Sequence, residues 1–116
     1  MKPVHWLRVT TDPAPAVVDG RACRTRAPFF AEVARVLDFP DYFGHNWDAL
    51  VDCLRDVGPV EVIVAHAEHL LAGEPQTQFA VFLDIMGSAE GVTLTMSTDA
   101  EHQSALRQRI ADSLDA

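Results

Sequence analysis

Basic residues are scarce in the middle of this chain, and their scarcity removes several classes of partner at once. Between Val36 and Leu106 there are twelve Asp or Glu residues and one basic residue, Arg55, an excess of 12 − 1 = 11 negative charges. Six of the nine Lys and Arg fall within residues 1–35, against three acids, and the whole chain carries a formal net charge of −8. A surface of this sign argues against nucleic acid and anionic membrane, and it suits either a basic partner, because complementary fields speed encounter, or plain solubility. Long apolar runs are missing too. No stretch approaches the ~18 residues of a membrane span, and Met1-Lys2 is not followed by the apolar segment and small-residue cleavage site of a signal peptide. The expected location is the cytoplasm. Cysteine is limited to Cys23 and Cys53, whose spacing fits no metal motif, so two buried free thiols are expected in a reducing compartment. The six glycines form neither Gly-x-Gly-x-x-Gly nor a P-loop, which removes two phosphate cradles. His66 and His69 share a helical face at i, i+3 and with Glu68 leave a metal-dependent hydrolase as an enzymatic reading, but two His without a third clear ligand in a short polar helix are usually solvated. The expectation is therefore no catalytic residue, no metal, no cofactor and no enzyme.

What is present suits one folded domain. The 116 residues can bury a single core, and 48% hydrophobic with 22% charged residues is ordinary for a globular chain. His5 to Thr10 reads as a short strand stopped by Pro13 and Pro15, and Ala16-Val17-Val18 as a brief buried strand closed by an Asp19-Gly20 turn. Pro28 suits a first helical turn, followed by a core stripe of Phe30, Val33, Ala34 and Leu37. After Gly58-Pro59, the β-branched run Val60 to Ala65 predicts a central strand covered on both faces. Ala67 to Leu71 predicts a short helix, and Pro75 opens another with Phe79, Phe82, Leu83 and Met86 inward and Asp84 off the stripe. Val92 to Ser97 alternates as a half-buried strand, and Thr98-Asp99-Ala100-Glu101 has a capping-box pattern ahead of an appended helix on Leu106, Ile110 and Leu114. This order is α/β, and helical crossovers between strands favour a parallel sheet.

The stretch from Phe39 to Leu54 differs in kind from the rest. Pro40 and Gly44 mark a loop, Asn46 is a good N-cap, and Trp47, Leu50, Val51 and Leu54 recur at helical spacing. Asp48 and Asp52 lie four apart on one face, with Asp56 a turn further on. Like charges at that spacing cost helix stability, so they mark either a solvated face or a face with a cationic partner. Exposed aromatics beside spaced carboxylates suit a binding hot spot, with Tyr42 the anchor and Asp48 and Asp52 the charges. Phe43, Trp47, Leu50 and Cys53 read as core, and His45 is given no role.

The run Pro40-Asp41-Tyr42-Phe43-Gly44-His45-Asn46-Trp47-Asp48-Ala49-Leu50-Val51-Asp52-Cys53-Leu54 resembles the signature of the barstar family of bacterial ribonuclease inhibitors. The resemblance extends from about Val17 to Ser97 within a single 1–116 domain. It leaves residues 1–15 and 98–116 as an N-terminal extension and a C-terminal appended helix. It implies a three-stranded parallel sheet packed with helices. It also implies an intracellular inhibitor, or immunity protein, that plugs the phosphate-binding active site of a basic secreted ribonuclease or ribonuclease toxin and is monomeric when free. By position, Asp52 resembles the carboxylate in the phosphate pocket, Asp48 the partner of a substrate-binding arginine, and Tyr42 the ring packed on the catalytic histidine. Gly44 and Asn46 match the loop and helix start that touch the enzyme, and Asp84 aligns with a glutamate that reaches an arginine at the rim. Val51 stands where the family prototype has a tryptophan, the loop before Pro59 is shorter, and Asp84 is one methylene shorter than glutamate. These departures bear on which nuclease is bound. The alternative is a barstar-like interaction domain that binds another basic protein without inhibiting a nuclease.

Overall fold

The computed structural model describes residues 15–114. The strand expected from His5 to Thr10 lies outside them. Three strands, β1 (Ala16–Asp19), β2 (Val60–Ala65) and β3 (Val92–Met96), form one parallel sheet in the order β1-β2-β3. Each parallel pairing needs a crossover, and helices supply both. Helices α1 (Arg26–Val36) and α2 (Trp47–Val57) link β1 to β2, α3 (Gln76–Ser88) links β2 to β3, and α4 (Gln103–Leu114) follows. Two right-handed crossovers stepping the same way across a sheet place their helices on one face.

Burial along the strands agrees with that arrangement. The register sets Val18 beside Val64, and Val62 beside Leu94, so these residues point to the same side. Val18, Val62 and Val64 are buried there. On the opposite side lie Val17, Glu61, Ile63, Thr93 and Thr95, and Val17 is 51% exposed. Two expectations are thus corrected among the described residues: β1 is buried on one side only, and β2 is covered by helices on one face rather than two. β-branched residues are favoured on an open strand surface as well as a covered one, so the run Val60 to Ala65 did not separate the cases.

The core is aromatic where α1, α2 and α3 meet. Phe29 packs edge-on to Phe82 at 5.5 Å between centroids, and Phe30 edge-on to Trp47 at 5.0 Å. Phe29, buried beside Phe30 and Val33, was not in the predicted stripe of α1. The stripe Phe79, Phe82, Leu83 and Met86 is buried as expected. Chain entry is equally constrained. Asp19 accepts from the Arg21 N–H at 3.0 Å to start a single 3-10 turn, Gly20–Ala22, and a Cβ on Gly20 would run into the His66 carbonyl oxygen. The short helix expected from Ala67 to Leu71 is a 3-10 turn over Ala67–His69.

Helix α4 departs from its expected start and end. Asp99, not Thr98, caps the approach, accepting from the His102 N–H at 2.9 Å, while the Thr98 hydroxyl donates to Glu68 at 2.9 Å. Leu106 is buried and Ile110 half-buried, but Leu114 is 67% exposed. The half-buried Arg109 takes over part of the docking. Its guanidinium lies 3.7 Å over the Phe79 ring and donates to the Leu70 carbonyl at 2.7 Å. Among the described residues no helix is long and apolar enough to cross a membrane.

Candidate functional site

The loop between α1 and α2 is built from both ends by local rules. At the end of α1 the Phe39 N–H reaches back to the Ala34 carbonyl at 2.9 Å, and Asp38 sits at φ 55°. This is the six-to-one closure of a Schellman ending, with Asp in the left-handed position that glycine more often takes. The chain then turns at Pro40, whose carbonyl accepts from the Phe43 N–H at 3.0 Å. Phe43 is 5% exposed and packs on Phe39 at 4.9 Å and Phe30 at 6.2 Å. Its neighbour Tyr42 is 80% exposed. One ring pins the loop and the adjacent ring is displayed. His45, at φ 52°, lays its imidazole against Phe43 at 5.0 Å, a structural role that the sequence did not reveal.

Asn46 joins the loop to the helix. Its side-chain oxygen accepts from the Ala49 N–H at 2.8 Å, as an N-cap should, and its amide nitrogen donates to the Gly44 carbonyl at 3.1 Å. Gly44 and Asn46 are thereby one unit. Asp48 stands in the first turn of α2, where the unpaired amides and the helix dipole favour a negative charge. That placement offsets part of the repulsion from Asp52 that the spacing alone suggested. Asp52 lies 3.6 Å from Arg55 on the same helix, with both side chains 75% exposed. An exposed pair of this kind contributes little to stability, and a stronger partner displaces it cheaply. The opposite stripe of α2, Leu50, Cys53 and Leu54, is buried. Cys23 and Cys53 are both free thiols. Burial pushes the Cys23 thiol up to about 12, with the Glu32 and Asp19 charges adding to the effect. Cys53 is raised in the same direction by burial and then by Asp56 and Asp52, so both thiols are shifted away from the reactive thiolate.

Helices α2 and α3 lie side by side and run the same way. At their starts the Trp47 indole N–H donates to Gln78 at 2.8 Å. Residues toward their ends line a groove of about 670 Å³. Val51, Leu54, Pro59, Ile85 and Ala89 supply its apolar walls, and Arg55, Asp84 and Glu90 its charges. Val51 and Asp84 are thus brought to one feature, although they come from different helices. The groove and Glu90 were not anticipated. The available signal was the small residues Val51, Ser88 and Ala89 facing one another, which is legible only once the helices are paired. At the far side, His69 meets Arg24 at 2.8 Å through its Nδ1. Among the described residues no three His, Cys, Asp or Glu side chains stand close enough to hold a metal.

A family model described as "Barstar (barnase inhibitor)" matches residues 14–110. The chain belongs to the barstar family. The match runs past the signature and through most of α4. The three-stranded parallel sheet with helices is the architecture that the resemblance implied. Barstar proteins inhibit a ribonuclease by binding it as a protein partner. No individual curated protein matches the chain.

Proposed function

We propose that this barstar protein inhibits a basic ribonuclease or ribonuclease toxin inside the cell, by occupying its phosphate-binding site with the α2 carboxylates. One observation carries the reading. Two carboxylates one turn apart stand exposed on a capped helix, beside a displayed tyrosine whose loop is anchored by its neighbour. A ribonuclease site holds phosphate with Arg, Lys and His. A carboxylate offered from a rigid support forms charge-assisted hydrogen bonds to such groups where the substrate's anion would sit. In this reading Asp52 enters the phosphate pocket, Asp48 pairs with a substrate-binding arginine, and Tyr42 packs on the catalytic histidine. Gly44, Asn46, Val51 and Asp84 complete the contact surface. The protein acts by occupancy and contributes no catalytic residue or cofactor of its own, and it is monomeric until the nuclease binds.

The test is to titrate the protein into purified barnase and into the basic ribonucleases of the organism that carries the chain, following cleavage of a fluorescent RNA. Stoichiometric inhibition by the wild type, lost in Asp48→Ala/Asp52→Ala, supports the reading. If the double variant inhibits as well as the wild type, the α2 mechanism is wrong. Capture of a basic protein with RNA cleavage untouched would instead favour an interaction domain of another kind.

A further inference from the structure

The groove beside α2 carries charge of opposite sign on its two walls. Arg55 stands on the α2 side, and Asp84 of α3 with Glu90 just beyond it stands on the other, around an apolar lining that includes Val51, Leu54 and Ile85. This is the complement of an aromatic ring. A ring has a negative face and a positive edge, so it is held best by a cation over the face, acceptors at the edge and hydrocarbon around the rest. The protein uses both contacts in its own packing. The Arg109 guanidinium lies 3.7 Å over the Phe79 ring, and the Trp47 indole N–H donates to Gln78 at 2.8 Å. The groove has the cation and the acceptors but no ring, since none of the residues lining it is aromatic. The Arg55 guanidinium rests instead on Asp52 at 3.6 Å, with both side chains 75% exposed.

We propose that the groove receives an aromatic side chain of the partner, tryptophan best of all, with Arg55 closing over its face and its N–H edge turned to the carboxylates. The proposal rests on the reading of α2 as the face that binds a ribonuclease, and it extends that reading from phosphate to base. Proteins that hold single-stranded RNA combine cations along the backbone with exposed aromatic side chains on which bases stack. The α2 carboxylates answer the cations, and the groove answers the ring. Arg55 couples the two. When a cation of the partner takes Asp52, the loose pair with Arg55 breaks, and the guanidinium, which already borders the groove, is free to cover the ring. A basic protein without a protruding ring leaves the groove unfilled and turns Arg55 against its own cationic surface. Selection among basic partners therefore has a repulsive element as well as an attractive one.

A nuclease-free titration tests the groove apart from inhibition. The 15N-labelled full chain is titrated with N-acetyltryptophanamide, its cyclohexylalanine counterpart and N-acetyllysinamide, each to about 10 mM, the range in which single-side-chain affinities are read. Expected with the tryptophan probe are shifts at the amides of Val51, Ile85, Ala89 and Gly91, with the other two probes at least about threefold weaker. Arg55→Gln should bring tryptophan down to the cyclohexylalanine level. Asp52→Ala, by releasing Arg55, should tighten tryptophan binding about twofold or more, whereas Asp48→Ala, which removes the same charge but no contact with Arg55, should not. Cyclohexylalanine or lysine bound as tightly as tryptophan, an undiminished response in Arg55→Gln, or equal responses in the two aspartate variants would overturn the proposal. Because no nuclease enters these titrations, the groove can fail while the α2 carboxylates still inhibit, and the reverse.

Discussion

Helices α2 and α4 are of nearly equal length, eleven and twelve residues, and they dispose of their charges in opposite ways. On α4 the half-buried cation turns inward, where Arg109 lies over Phe79 and binds the Leu70 carbonyl. Gln76 of α3 then joins the Arg109 carbonyl and the Ser113 hydroxyl, so the polar groups of the α3–α4 seam satisfy one another. On α2 the charges turn outward, and Asp48, Asp52 and Asp56 have no contact beyond the loose Arg55 pair among the described residues. The polar groups of α4 that face α3 are taken up within the fold, while Arg107 stays exposed. The difference agrees with the proposed division, binding on α2 and attachment on α4, and substitutions can separate the two.

The largest effect should come from Asp52→Ala. Removing one member of an ion pair that becomes buried in a complex costs about 3–5 kcal/mol, so inhibition should weaken a hundredfold or more, mainly through faster dissociation. The melting temperature should stay level or rise slightly, since repulsion from Asp48 and Asp56 is relieved. Leu50→Ala, on the buried side of the same helix, should do the reverse. It should cost about 2–5 kcal/mol of stability by leaving a cavity, read as a lower denaturant midpoint. The comparison breaks if these two variants behave alike. Arg109→Ala should lose about 1–3 kcal/mol through its stacking and its carbonyl contact, with inhibition intact wherever the protein is still folded. Asn46→Ala should remove roughly 1 kcal/mol as a lost cap, and it alone should affect both properties, because the same side chain holds Gly44 and starts α2.

The smallest effect concerns pH, at the entrance to α4. The hydrogen bond to His102 holds the Asp99 carboxyl below its ordinary value of 3.8, and the same contact raises His102 above its ordinary 6.5. A lowered carboxylate stabilises the fold above 3.8 and loses that contribution as pH falls through the depressed value. A raised histidine stabilises it fully below 6.5 and loses that as pH rises through the elevated value. The contribution therefore peaks between these limits. His102→Ala should flatten the upper limb of a melting-temperature profile and leave inhibition unchanged.

Much of this division was legible in the sequence, because it follows local rules. The Asn46 cap, the α2 and α3 core stripes, the burial of Phe43 beside an exposed Tyr42 and the alternation in β3 all appear where spacing and turn chemistry put them. Features that depend on tertiary placement were not legible. The left-handed Asp38 and His45 are of types enriched in that region but not confined to it, so their identity alone did not announce the backbone they adopt. Arg109 looked like another surface cation on a polar helix, and only the packing of α3 against α4 gives it a ring to lie on. The open side of β2 depends on where two crossovers fall, and a β-branched run carries no information about that. In the site, Asp48 and Asp52 were identified by spacing, whereas Glu90 entered only through a groove made by two helices.

Among the described residues the sheet contains no hairpin, and this sets the order in which the protein can come into being. β1 and β2 are paired only after the intervening residues 20–59 have been laid out, and those residues include the whole of α1, the loop and α2. An eleven-residue helix is marginal alone in water. The carboxylate ridge therefore acquires its fixed geometry only when this long loop closes, a slow kind of step because the entropy of closure comes before the contacts that reward it. Truncated chains that stop short of Ala65 lack the strand that closes it. Under the proposed function, protection against a nuclease made in the same cell would draw on molecules already folded, so the lag between synthesis and folding, as much as affinity, would set how much enzyme can be tolerated.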